Sequence, residues 1–204
     1  LVFHLVGKVG NAAIKGHLLD MNTVEYIDFT KPYWENQIND SLAVAERVYF
    51  AGSDFSLRDK SRAYVLSYNK NLAAENGIPD IAEAVWSGKW TLDLMTEYAD
   101  IVDSDLNKDG ERKISDDRFG LVADDIKMFS GLVYGMGNTI IGRDGENKMT
   151  LVVEGDKMKD SIDRAIALFC NDTYSCYDED GRTDAAACWT EGRALFAESF
   201  LGSV

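Results

Sequence analysis

Residues 64–95 restrict the fold more than any other part of the chain. Tyr64-Val65-Leu66-Ser67-Tyr68 reads as an apolar strand and runs into Asn69-Lys70-Asn71. A short helix over residues 72–76 is ended by Gly77, since glycine takes a positive φ past a helix end without a Cβ penalty. Pro79 then keeps the helix from restarting. Lys89-Trp90-Thr91 leads into a longer helix with Thr91 as N-cap, and Leu94, Met95, Tyr98, Ile101 and Val102 mark its buried face. Strand, Asn-Lys, short helix, Gly, then Trp-Thr before a helix is an uncommon combination.

Residues 1–5 read as a strand, and residues 11–15 as a short helix closed by Gly16. Residues 45–50 alternate as a strand, and Gly52-Ser53-Asp54-Phe55-Ser56 is a turn-rich patch where the backbone changes course. Further strands are expected at 119–122, 139–141, 150–152 and 194–197. Helices are expected at 126–134, ended by Gly135 and Gly137, and along Met158, Ile162, Ala165, Ile166 and Phe169. Strands and helices alternate without an internal repeat, which predicts an α/β domain with a mixed sheet. Residues 52–62 are the best boundary. Both ends of the chain fall in apolar strands, so an excised fragment of something longer is expected.

A net charge of −14 and a pI near 4.5 argue against nucleic acid or an anionic membrane face as partner, because both need a basic footprint. No apolar run approaches the length of a membrane span. Cys170, Cys176 and Cys188 lie in a polar, loop-like segment. They suit one disulfide with one thiol left over in an oxidising compartment, or three reduced thiols. Cys170–Cys176 would close a small loop and Cys176–Cys188 a larger one. Zinc is disfavoured, since no histidine is near and no Cys-x-x-Cys knuckle is present.

Asp105-x-Asn107-x-Asp109-Gly110 is the most specific local motif. Alternating oxygen side chains with glycine at the sixth place suit a structural calcium ion, with Glu111 next in line and Asp116 at the twelfth place. Asp116 is shorter than the usual bidentate glutamate, with Asp117 as its substitute, and Arg112 stands where an apolar residue is expected. The alternative is a solvated acidic turn. No catalytic constellation is apparent: the histidines, His4 and His17, stand near the start of the chain, and nucleophile elbows and phosphate loops are absent. No catalytic residue and no required cofactor are therefore assigned. Trp34 beside Tyr33, and Trp189 in a polar segment, fall on no periodic core face. A flat ring stacks on the apolar face of a pyranose while carboxylates and amides take its hydroxyls. Trp90, before a helix cap, reads as structural.

Tyr68-Asn69-Lys70-Asn71-Leu72, Gly77 and Gly88-Lys89-Trp90-Thr91-Leu92-Asp93-Leu94-Met95 together resemble bacterial extracellular solute-binding proteins of the carbohydrate type, related to maltose-binding proteins. Gly16-His17-Leu18-Leu19-Asp20-Met21-Asn22, Lys31-Pro32-Tyr33-Trp34, Val48-Tyr49-Phe50, the 105–110 loop before Phe119-Gly120-Leu121, and Arg193-Ala194-Leu195-Phe196 extend the likeness in the same order. The resemblance implies a type II periplasmic-binding-protein-like fold, a mixed sheet flanked by helices. Residues 1–58 would be the later part of a first lobe, 59–196 the second lobe, and 197–204 the return to the hinge. By position it places His4 and Lys8 at the cleft, Asp54 and Ser56 at the crossing segment, Phe129 on the second lobe, and Glu198 and Phe200 in the hinge, with Trp34 and Trp189 as stacking candidates. It implies capture of a sugar or oligosaccharide for an ABC importer by cleft closure, without catalysis. The implied partners are the solute and the permease membrane subunits, for a monomer held outside the cell as a lipoprotein. From another class, a secreted glycan-active enzyme or calcium-braced carbohydrate module is the alternative.

Overall fold

A computed structural model describes residues 6–123, 127–146, 148–169, 175–177 and 182–203. In chain order the first elements are α1 (Val6–Ile14), α2 (Asn36–Leu42), α3 (Arg58–Ser61), β1 (Tyr64–Tyr68), α4 (Lys70–Glu75), α5 (Ile81–Trp86) and α6 (Leu92–Val102). There follow β2 (Phe119–Ala123), α7 (Lys127–Gly135), β3 (Ile141–Arg143), β4 (Met149–Leu151), α8 (Asp156–Phe169), β5 (Ser175–Tyr177), α9 (Arg182–Thr190) and β6 (Ala194–Phe200). The chain divides into two compact units: residues 1–61 with 140–152, and residues 62–139 with 153–204.

The second unit is built on a mixed four-stranded sheet in the order β1-β6-β2-β5. β1 runs antiparallel to β6, while β6 and β5 both run parallel to β2. The central strands are buried on both faces, which explains why Phe119-Gly120-Leu121-Val122-Ala123 and Ala194-Leu195-Phe196-Ala197 read as continuous apolar runs rather than alternating ones. Phe196 and Leu195 are fully buried and meet Leu72, Ile81, Met95, Ala99 and Leu168 in one core. α6 lies so close to β2 that a Cβ on Gly120 would stand 2.3 Å from the Ala99 carbonyl oxygen. Here glycine is a packing requirement.

The first unit is smaller and richer in turns. α2 carries the buried Asn39, and the β3–β4 hairpin is antiparallel, pairing Ile141 with Leu151. Arg143 fastens the hairpin to α2, its Nη2 donating to the carbonyl oxygens of Asp40 and Ala43 at 2.9 Å each. Those carbonyls belong to the helix C-terminus, where a cation also meets the favourable end of the helix dipole.

Several local expectations change. The strand expected at 45–50 is instead a tight turn, Val44 pairing with Arg47 around Ala45 and Glu46, both at positive φ. Val48 then bonds to the Asp20 carboxylate and to Met21 rather than to a sheet. Gly77, at positive φ, follows the end of α4, but Pro79 does not keep helix from restarting: Asp80 caps α5 by accepting from the Ala82 N–H. The polar-looking cysteine segment contains α9, with Cys188 buried in it. Its consecutive Ala185-Ala186-Ala187 favours helix but shows no amphipathic period. The strand expected over 1–5 and Cys170 lie outside the described residues. No helix among the described residues is long and apolar enough to cross a membrane.

Candidate functional site

Trp34 is brought beside the distant segment that carries Asp54 and Ser56 in the first unit. A short ladder does this: the Asp54 N–H donates to the Tyr33 carbonyl (2.9 Å), the Glu35 N–H to the Gly52 carbonyl (3.0 Å), and Trp34 bridges Ser53. Asn39, 2% exposed, holds Gly52 from behind by accepting its N–H at 2.7 Å. Buried amides rarely go unpaired, and this one fixes the level at which residues 52–56 leave the ladder. The result is an aromatic ledge. Trp34 packs against Phe29 (centroids 5.0 Å apart) and Tyr33 (5.5 Å), and Phe55 meets Tyr33 edge-on at 6.2 Å. Phe55 is 83% exposed and Tyr33 41%, between the exposed Asp54 and Ser56. Exposed rings flanked by a carboxylate and a hydroxyl can stack on an apolar ligand face and bond to its hydroxyls.

The other sequence candidates fall elsewhere. In the second unit Glu198 and Phe200 lie near the end of β6, where Phe200 packs on Tyr64 (4.8 Å) and the Arg62 guanidinium stands over its ring at 5.1 Å. Phe129, half-buried on α7, packs against Val133 and Met158. Trp189, half-buried on α9, packs against the cluster of Phe119, Ala185 and Cys188. Lys8 lies on α1, with its side chain outside the description, and His4 lies outside the described residues altogether.

The 105–117 loop is held by its own carboxylates. Asp105 accepts from the Lys108 N–H (2.6 Å) and the Gly110 N–H (3.0 Å), and Asp109 from the Glu111 N–H (2.7 Å). That last bond, with help from the Asn107 amide and Lys113, holds the Asp109 carboxyl below its ordinary range. The Asn107 amide nitrogen points at Asp109 and Asp116, 3.1 Å from each carboxylate oxygen. Among the described residues no group of three or more His, Cys, Asp or Glu side chains gathers as a metal site. Beneath the loop Asp117, fully buried, accepts from the Leu106 and Lys113 N–H groups, and Arg112 links it to Asp103. Desolvation outweighs the Arg112 guanidinium and lifts the Asp103 carboxyl to about 6. Arg193 closes the brace from the start of β6, donating to the carbonyls of Ile114 and Asp117.

No protein-family model and no curated protein matches the sequence. Solved structures do. An ABC substrate-binding protein from Listeria monocytogenes, in complex with cycloalternan, superposes with a TM-score of 0.57 at 13% identity, covering 92% of this chain and 44% of that one. UspC of M. tuberculosis superposes with a TM-score of 0.57 at 14% identity, covering 95% of this chain and 47% of that one. The chain has the solute-binding-protein fold. It spans under half the length of either match. Within this fold the ledge residues most easily overlooked in sequence are Phe29 and Phe55. For Phe55 one signal was available: an aromatic residue between Asp54 and Ser56, in a turn where burial is not expected.

Proposed function

We propose that the chain is part of a non-enzymatic solute-binding protein that captures a sugar or oligosaccharide for an ABC importer. Two observations support this reading: the shared fold, and the ledge of exposed rings around Asp54 and Ser56. The ledge carries the sugar half of the proposal. Rings worth stacking on and oxygens worth bonding to stand within one short ladder, and pyranoses offer an apolar face edged with hydroxyls. One of the solved structures with this fold holds cycloalternan, an oligosaccharide.

In this reading the solute first meets one lobe, then contacts from the other stabilise the closed form that the permease recognises. His4, Lys8, Phe129, Trp189, Glu198 and Phe200 are the further contacts the reading draws on. The full-length protein works outside the membrane as a monomer, anchored as a lipoprotein. A thermal-shift screen of mono- and oligosaccharides on the full-length protein tests this, because a ligand that binds only the folded state raises the midpoint by mass action. A shift with sugars that Phe55→Ala removes is the expected result. A shift with peptides or phosphate esters, and none with any sugar, would overturn the carbohydrate reading.

A further inference from the structure

Next to the ledge, the first unit carries a shallow hollow of about 450 Å³, open to solvent and lined by Asn22, Asp28, Thr30, Asn36 and Asp40 with the apolar Ile27 and Phe29. Phe29 belongs to both places: it lines the hollow and packs on Trp34 of the ledge at 5.0 Å. We propose that this hollow is a second sugar subsite, taking one residue of an oligosaccharide whose neighbouring residue stacks on the ledge. This rests on the sugar-binding reading above and gives it a chain length.

The chemistry of the lining selects the ligand. Asn36 and Asp40 stand four residues apart on α2, hence on one face, and both are exposed with no side-chain hydrogen bond among the described residues. The Asn22 amide nitrogen is committed to the Glu46 carbonyl, which leaves its oxygen to accept. The Thr30 hydroxyl donates to Asp28 at 2.6 Å, so its lone pairs remain for a ligand. That bond, the Thr30 N–H and Lys31 hold the Asp28 carboxyl below its ordinary range. The lining is thus rich in acceptors, carries two amides and contains no cationic side chain. Phosphate and carboxylate ligands are rejected by charge, whereas the hydroxyl groups of a sugar supply the donors that these oxygens need. Ile27 and Phe29 cover the apolar face.

The test compares ligand lengths on the full-length protein by calorimetric titration with mono-, di- and trisaccharides of the gluco-, galacto- and xylo- series. Asn36→Ala and Asp40→Asn alter exposed positions, and an unchanged melting curve checks that both variants fold. The expected result is an affinity for the trisaccharide reduced about tenfold in Asp40→Asn, which weakens a hydrogen bond to a charged group, and roughly fivefold in Asn36→Ala, which removes a neutral one, with monosaccharide affinity unchanged. Phe55→Ala should weaken both. If Phe55→Ala weakens binding and neither α2 variant does, the hollow is not a subsite and the sugar reading stands. Equal weakening of mono- and trisaccharide in the α2 variants would make the hollow the primary site and overturn the two-subsite arrangement. Failure of every sugar to bind the wild-type protein would overturn both readings.

Discussion

At the scale of single residues, the buried charged side chain among the described residues, Asp117, lies beneath the 105–117 loop. Asp117 is fully buried and satisfied by two N–H groups and Arg112. Asp117→Ala leaves those buried donors without an acceptor and the guanidinium with Asp103 as its remaining carboxylate, so a loss of roughly 1–3 kcal/mol is expected in urea unfolding at neutral pH. Asp103 behaves differently. Its carboxyl titrates at about 6 in the folded chain against 3.8 when unfolded, so the folded state binds the proton more tightly. The stabilisation is full below pH ~4 and is lost as the pH rises through ~6. The stability of Asp103→Asn relative to the wild type should therefore rise across that window, and a flat difference would show that Asp103 titrates normally. Arg112, which joins the two aspartates, also stands 4.6 Å from the centre of the Phe119 ring. None of this was visible in the motif, which draws the eye to Asp105, Asn107 and Asp109 because their spacing is regular. Asp117 is one more acidic residue in an acidic segment until the fold buries it.

At the scale of elements, the Thr91 cap and the Gly77 stop were legible because they are local, whereas the Asn69 cap was not expected and Pro79 did not keep helix from restarting. Asn69 accepts from the Leu72 N–H at 3.0 Å and Thr91 from the Leu94 N–H at 3.1 Å, as short polar side chains before apolar periodic runs should. Asn69→Ala is expected to cost about 1 kcal/mol, read from the thermal midpoint. The apolar strands β2 and β6 were equally legible, being buried on both faces. What escaped was set by partners distant in sequence. The turn at Ala45 and Glu46 is fixed by Val48 reaching Asp20, and the ledge by Asn39 reaching Gly52. Periodicity carries no record of either. Close approach is the third non-local effect: Gly120→Ala puts a methyl group against the Ala99 carbonyl, where backbone cannot yield cheaply. A loss of roughly 1–3 kcal/mol or more is expected, with α6 amides exchanging faster than in the wild type.

At the scale of the whole molecule, a net charge of −14 makes the folded state work against its own repulsion. Raising the ionic strength shortens the screening length to about 10 Å at 0.1 M. A rise in melting temperature of about 2–4 °C, or on the order of 1 kcal/mol, is expected on going from low salt to physiological ionic strength. The first unit is also discontinuous, because residues 140–152 belong to it while residues 62–139 belong to the second. A ribosome that has finished Ser61 still has the whole of residues 62–139 to make before the β3–β4 hairpin appears. At about 5–20 residues per second that leaves the first unit without its hairpin, and the end of α2 without Arg143, for roughly 5–20 s. During that interval the Ala43 carbonyl lacks its Arg143 donor, and the Asp40 carbonyl has only the Ala43 N–H. The order of synthesis therefore leaves both units incomplete at once, because β6, the strand that pairs with both β1 and β2, is made only after the hairpin, and a chaperone that attends this chain during translation should be met on both units.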